Sequence, residues 1–352
     1  MTLKINETIL KSKRWVPPTG RQKFLKFDLN ENYSLFDDKF LKKLKNFDNF
    51  VINCYPEYDK IISLLSEYTK LPENNIAITN GGDQAIDLLL RLFFNSKSRI
   101  LMPSPVFSIY DHAFSILGCK VKHIPYIDNN NYFDFPAEEI LKSLDACDGI
   151  ILCNPNNPLG SAIDEKILLK IIQKTNKLNI PCVIDEAYYE FYGKTSTDLI
   201  KKYKNIIIIR TFSKMFGLAG LRLGYVLANE NIINELLKIR GPWDINHFAV
   251  FSGEVALKNI DYFSKKLKTF LILKKELEKF LIKRDIKFYK TETNFLVLKT
   301  KDKQEFVKKL NKSKILVNDI SDYPFNFKLL KNSIRITVPN NKKDLKTLKS
   351  IF

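Results

Sequence analysis

One lysine is set apart by its surroundings. Lys214 lies in Arg210-Thr211-Phe212-Ser213-Lys214-Met215-Phe216-Gly217-Leu218-Ala219-Gly220-Leu221-Arg222-Leu223-Gly224, among hydroxyls and apolar residues. A lysine in apolar surroundings gives up its proton readily and becomes a nucleophile. Thr211, Ser213 and Arg222 have the side chains that bind phosphate. The plain alternative is a lysine on a surface loop, which the flanking glycines and the lack of adjoining charge disfavour.

Four other segments could contribute chemistry. In Ile184-Asp185-Glu186-Ala187-Tyr188, carboxylates end an apolar run, where they are costly unless paired. A cation or a protonated ring nitrogen would pair with them. A metal is the rival, but the histidines (His112, His123 and His247) lack ligand spacing, so no metal site is expected. Cys153-Asn154-Pro155-Asn156-Asn157-Pro158-Leu159-Gly160 makes a rigid turn able to aim a side-chain amide, or only a structural turn. Thr79-Asn80-Gly81-Gly82-Asp83-Gln84 lets the backbone turn into a helix whose first amides could meet an anion. A glycine turn with Asp83 as the helix cap explains it equally, and no GxxxxGK[ST] phosphate loop is present. In Pro103-Ser104-Pro105-Val106-Phe107-Ser108-Ile109-Tyr110, Phe107 could lie flat on a planar ring, although core packing is the commoner fate of such a residue.

These segments fall at the ends of expected strands. Apolar runs at Ile76–Thr79, Ile100–Met102, Lys120–Ile124, Gly149–Cys153, Cys182–Asp185, Asn205–Arg210 and Gly224–Ala228 alternate with helical patterns such as Asp83–Phe94 and Lys166–Lys177. Such alternation predicts an α/β fold with a mostly parallel, doubly wound sheet. Ligands bind beyond the carboxyl ends of the strands in such sheets. After about residue 250 the texture changes. Lys/Leu-rich helical patterns at 254–284 precede short strands at 293–299 and 333–338, which predicts a smaller α+β domain. The expected division is an N-terminal arm joining the small domain (1–45), a large domain (46–250) and a small domain (251–352).

Composition bounds the function. The chain has 352 residues, which suits two domains. Its charge of +18 comes from lysines spread along the chain and interleaved with acidic residues, as in KKELEK. That describes a solvated surface better than a nucleic-acid groove, and no nucleic-acid-binding motif is visible. No apolar run approaches the ~18 residues needed to span a bilayer. The N-terminal residues lack the apolar stretch of a secretory signal, so a cytoplasmic location is expected. The cysteines number 5 and form no CxxC pair, in keeping with reduced thiols.

Taken together and in order, GGDQ, PSPVFSIY, NPNNPLG, DEAY, TFSK and GLRLGY resemble the fold-type-I pyridoxal-phosphate aminotransferases of class I/II. More narrowly they resemble the histidinol-phosphate aminotransferase branch. Further matches are Leu29-Asn30-Glu31-Asn32, Tyr55-Pro56-Glu57, Thr291-Glu292-Thr293-Asn294-Phe295 and Ile334-Arg335-Ile336-Thr337-Val338. The resemblance implies pyridoxal 5′-phosphate as cofactor and a large domain built on a seven-stranded sheet. It implies that Lys214 carries the cofactor and shuttles the proton, and that Asp185 pairs with the ring nitrogen. Asn157 and Tyr188 would bond the ring 3′-oxygen, and Phe107 would stack on the ring. The phosphate would take the amides of Gly82 and Asp83, the hydroxyls of Thr211 and Ser213, and Arg222. Tyr55 would reach it from a second subunit, which implies a homodimer. Arg335 would bind the donor's carboxylate.

The substrate side departs from that branch. Ile315-Leu316-Val317 is followed by Asn318 where arginine is common, with Lys328 or Lys331 as possible substitutes. The stretch before Arg335 is longer and more aromatic, with Tyr323, Phe325 and Phe327. The arm Trp15-Val16-Pro17-Pro18-Thr19-Gly20-Arg21 lacks the tyrosine often found there, and Asn32 is followed by Tyr33 instead of proline. The expected reaction exchanges an amino group between glutamate/2-oxoglutarate and a small phosphorylated substrate. A three-carbon phosphate such as dihydroxyacetone phosphate, or another surface-polysaccharide precursor, is an alternative. Gly241-Pro242-Trp243-Asp244-Ile245-Asn246 and Gly253-Glu254-Val255-Ala256-Leu257 resemble instead the decarboxylases of O-phospho amino acids.

Overall fold

The structure is a computed structural model that describes residues 3–33 and 36–352. The arm expected at 1–45 therefore has residues 1, 2, 34 and 35 outside the described part. The strands are β1 (Leu25–Phe27), β2 (Ile76–Thr79), β3 (Arg99–Ser104), β4 (Lys120–Pro125), β5 (Ile127–Asp128), β6 (Phe133–Asp134), β7 (Gly149–Cys153), β8 (Cys182–Asp185), β9 (Ile206–Thr211), β10 (Gly224–Ala228), β11 (Phe288–Tyr289), β12 (Phe295–Lys299), β13 (Ile315–Asp319) and β14 (Ser333–Thr337).

Seven of them form one sheet in the order β2-β10-β9-β8-β7-β3-β4. The pairs β9–β8, β8–β7, β7–β3 and β3–β4 are parallel, and β10 runs antiparallel to both its neighbours. All seven expected strands are present. The apolar runs of all but the edge strand β4 are buried on both faces, as a sheet sandwiched between helices requires. The period of two sorts them: Ile206, Ile208, Ile184 and Leu152 enter one core, while Ile207, Ile209, Val183 and Ile151 enter the other. Helices cover both faces. Helix Glu165–Lys177 starts where the Asp164 carboxylate accepts the Lys166 and Ile167 amides. Helix Ser108–Leu117 stops at Gly118, whose φ of 82° suits a residue without a side chain.

The smaller sheet has the order β1-β13-β14-β12-β11. Leu296 and Leu298 point to the long helix Ile260–Lys283, through Phe270, Leu273, Leu277 and Leu281. Phe295 and Val297 point the other way, into a cluster with Tyr188, Leu159 and Tyr126 from the large sheet's loops. That second cluster brings the two sheets' functional ends together. The N-terminal segment divides its contacts. Leu25–Phe27 pairs in parallel with Ile315–Val317, while the Thr8 hydroxyl donates to the Ile116 carbonyl on helix Ser108–Leu117 at 2.6 Å. Among the described residues, no helix is long and apolar enough to cross a membrane.

Candidate active site

Strand register does most of the assembly. Gly224 on β10 sits opposite both Thr79 on β2 and Thr211 on β9. The ends of three strands therefore meet at one level, with the Gly81 turn, Ser213 and Arg222 beside them. Asn80 caps helix Gly81–Phe93, so Asp83 lies in its first turn and is not the cap. Gly81 has a φ of +73°, and a Cβ there would collide with the Arg222 guanidinium. Arg222 donates to Asp83 Oδ2 at 2.9 Å and to the Ala219 carbonyl at 3.2 Å. The Thr211 hydroxyl lies 3.0 Å from the Ser213 hydroxyl and accepts the Ser213 amide. Helix-start amides, two hydroxyls and a guanidinium thus surround one small space, a donor set suited to a phosphate.

Asp185 ends the central strand β8, opposite Cys153 on β7 and Ile209 on β9. It is 5% exposed. Tyr110 donates its hydroxyl to Oδ2 at 2.9 Å, and the Ala187 amide donates to Oδ1 at 3.0 Å. Burial pushes its pKa up to about 6, against these two donors, which favour the ionised form. Asp185 is therefore still a carboxylate at neutral pH, and a cationic partner would stabilise it. Tyr110 ends the segment that the sequence singles out around Phe107 but carried no assigned role, although its place one helical turn beyond Phe107 was a usable signal.

Lys214 Nζ donates to the Leu29 carbonyl at 3.1 Å and lies 5.7 Å from the Tyr188 ring centroid. Burial, helped by the Arg335 charge and opposed by Glu31 and Asp83, lowers its pKa to about 8. A sizeable neutral fraction is thus present near pH 8.

Arg335 comes from β14 of the small sheet, opposite Val297 and Asn318. It is 4% exposed. One Nη donates to Asn157 Oδ1, the other to the Asp28 carbonyl at 2.8 Å, and Nε has no hydrogen-bond partner. Tyr188 accepts from Asn30 Nδ2 at 2.9 Å. With the Asn157 carbonyl oxygen and one Tyr188 lone pair occupied, the Asn157 amide and the Tyr188 proton remain as donors. Two donors beside a buried carboxylate and a depressed amine fit a phosphorylated pyridine ring that carries an oxygen substituent. Asn30 and Asp28 were not singled out individually from the sequence. Their roles arise from chain threading: residues 28–30 run between the sheets and touch Arg335, Lys214 and Tyr188 in turn.

Phe107 immediately precedes helix Ser108–Leu117 and packs edge-on against Tyr110 at 6.5 Å. Tyr55 lies apart from this cluster, 72% exposed and stacked on Trp243 at 4.3 Å. Lys328 and Lys331 are exposed.

One group beside the site carries a pH prediction. Asp111, on helix Ser108–Leu117, has both oxygens buried without hydrogen-bond partners, with His123 Nε2 at 3.6 Å. Burial raises its carboxyl to about 7 and lowers His123 to about 4. The folded state therefore binds more protons than the unfolded one between the ordinary value of 3.8 and about 7. Asp111's favourable contribution is complete below that window and is lost as pH rises through it. Asp111→Asn should raise Tm by a few degrees at pH 8 and leave it unchanged at pH 4, as read by thermal unfolding at both pH values.

The model of aminotransferases of class I and II matches residues 23–350. The histidinol-phosphate aminotransferase of Thermoanaerobacter pseudethanolicus is 35% identical over 324 residues, covering 89% of this chain and 88% of that one. The crystal structure of the histidinol-phosphate aminotransferase from Clostridium acetobutylicum matches with a TM-score of 0.80 at 26% identity, over 93% of this chain and 98% of that chain. The histidinol-phosphate aminotransferase from Sinorhizobium meliloti, solved in complex with pyridoxal-5′-phosphate, matches with a TM-score of 0.82 over 99% of this chain and 96% of that one. At 20% identity, that last likeness is one of fold.

Proposed function

This chain belongs to the aminotransferase class I and II family, and from that premise we propose that it exchanges an amino group between glutamate and a small phosphorylated substrate of the histidinol-phosphate kind. Its cofactor is pyridoxal 5′-phosphate. The observation that carries the substrate reading is Arg335: a buried guanidinium with an unpartnered Nε, on the same space as the depressed amine of Lys214. A guanidinium binds a carboxylate or a phosphate in the same two-pronged way, so one residue can serve both partners of the exchange.

The residues that would hold the cofactor follow from the donors left free. Lys214 would carry it, Asp185 would face its ring nitrogen, and Asn157 and Tyr188 would donate to its ring oxygen. Gly82, Asp83, Thr211, Ser213 and Arg222 would take the phosphate, with Phe107 against the ring. When bound, the cofactor supplies an electron-withdrawing pyridine ring. Asp185 would set its negative charge against that ring's nitrogen and keep it protonated. Lys214 Nζ, neutral in part near pH 8, would move the proton between the substrate Cα and the cofactor carbon C4′. Arg335 fixes the donor's anionic end, and so the angle at which the Cα–H bond is presented.

The same reading places the enzyme in the cytoplasm as a homodimer with small-molecule partners and neither nucleic acid nor membrane. It sets the large domain at 46–250 and the small one at 251–352. Exposed Ile52, Tyr55, Trp243 and Phe248 are apolar surface that a second copy would cover, bringing Tyr55 to its neighbour's phosphate.

A half-reaction screen tests the function. Mixed with glutamate or histidinol phosphate, the holoenzyme should lose its near-visible absorbance within seconds. Carbon dioxide release from phosphoserine or phosphothreonine, without conversion by glutamate, would replace this reading with a decarboxylase.

A further inference from the structure

The connection between β13 and β14, residues 320–332, crosses from the small sheet to the large one. Ile320 and Leu330 anchor its two ends, both 0% exposed. Asn326 pins its turn: Nδ2 donates to the carbonyls of Ser321 and Tyr323 at 2.8 and 2.7 Å, and Oδ1 accepts the Lys328 amide at 2.7 Å. Between the anchors, two aromatic side chains dock on the large sheet's side, one at the start of helix Ser108–Leu117 and one on β4. The Tyr323 hydroxyl accepts the Ser108 amide at 3.1 Å, at the residue directly after Phe107. Phe325 stacks on His123 of β4, with ring centroids 3.6 Å apart and planes 11° from parallel. His123 is held from behind, its Nδ1 2.8 Å from the Ser104 hydroxyl.

These contacts put Tyr323 between the loop that carries Phe107 and the strand that carries Arg335. Burial raises its hydroxyl pKa, and Arg335 is the charge that opposes the shift. Asn318, directly opposite Arg335, brings no second cation, and Lys328 is exposed.

We propose that Tyr323 is the specificity-determining residue of this enzyme, its ring forming the wall that limits donor length, with Phe325 and His123 as the clamp that holds the wall in place. This rests on the aminotransferase reading and deepens it. The class of donor accepted is compact, with an anionic end at Arg335 and a chain short enough to stop at the Tyr323 ring. The Tyr323 hydroxyl is tethered by the Ser108 amide, which fixes the orientation of the ring that the substrate would meet.

The test compares donors within each variant. For wild type, Tyr323→Phe, Tyr323→Ala and Phe325→Ala holoenzymes, kcat/KM is measured with histidinol phosphate, glutamate, phenylalanine and tryptophan. Tyr323→Ala should shift the ratio of tryptophan to glutamate at least tenfold toward tryptophan. Phe325→Ala should shift it the same way by less, and Tyr323→Phe should keep it within threefold of wild type. A general loss of stability moves all donors together and leaves the ratio unchanged. An unchanged ratio in Tyr323→Ala, with wild-type thermal unfolding, would overturn the proposal. Calorimetric binding of 3-phenylpropionate and glutarate reads the same wall without turnover. Tyr323→Ala should tighten the first relative to the second at least tenfold, and an unchanged ratio again overturns it. If the wild type converts none of the donors, the aminotransferase reading fails in the wild-type arm itself, and the binding ratio still decides the wall.

Discussion

Lys214→Ala should lower turnover by at least about three orders of magnitude, the scale of a positioned proton-transfer group. It should also end covalent retention of the cofactor. The amine is held by one backbone carbonyl, Leu29, and its proton is loosened by burial and by the Arg335 charge. No other lysine amine lies in this cluster of described residues to replace it. Gel filtration in denaturant, followed by absorbance, should show cofactor on the wild type after borohydride reduction and none on the variant. A small exogenous amine should restore part of the rate, because the missing group is an amine and the space for it remains. A variant that turns over within tenfold of wild type would remove Lys214 from the chemistry.

Asp185→Asn should separate activity from stability. The amide keeps the size of the carboxylate, can still accept from Ala187, and can meet Tyr110 if that hydroxyl rotates. The charge is gone. Turnover should fall about 10²–10³-fold, as when one preorganised electrostatic contact is lost. Thermal stability of the cofactor-free protein at pH 8 should hold or rise. The folded-state value of about 6 lies above the ordinary 3.8, so an ionised Asp185 weakens the fold at that pH. Equal activity in the variant would show that the ring nitrogen has no need of the charge. A large drop in Tm would show instead that the carboxylate is structural.

Much of the large sheet was legible because its strands, the edge strand β4 apart, are buried on both faces. Ile206-Ile207-Ile208-Ile209 needs no partner to be recognised as a strand. The polar clusters at strand ends were legible for the same reason: a carboxylate after Cys182-Val183-Ile184 is out of place unless it has a task. The small sheet's edges were not. Leu25–Phe27 and Phe288–Tyr289 are too short to show a period, and their pairing is decided by what lies beside them. The pairing of Arg335 with Asn157, 178 residues apart, likewise has no local signature. Sequence order supplied both residues, and only the packing of Phe295, Tyr188 and Leu159 between the sheets brought them together. Tyr323 showed the opposite case. Its segment was visible as longer and more aromatic, but what it does depends on a contact with Ser108, 215 residues away.

The threading of residues 28–30 has a consequence for how the protein is made. The Asn30 amide donates to the Thr337 hydroxyl, and Arg335 reaches the Asp28 carbonyl, each across 307 residues. The seven-stranded sheet has all its strands once Ala228 has emerged, but β14 ends at Thr337. At ordinary elongation of about 5–20 residues per second, the nascent chain spends on the order of ten seconds between those points. Throughout that interval the segment Asp28–Asn30 and its partners Tyr188 and Lys214 are already synthesised, while Arg335 and Thr337 are not. A ribosome stalled in that interval leaves Lys214 without the Arg335 guanidinium, so the anion-binding role proposed for Arg335 is the last part of this site to be completed at birth.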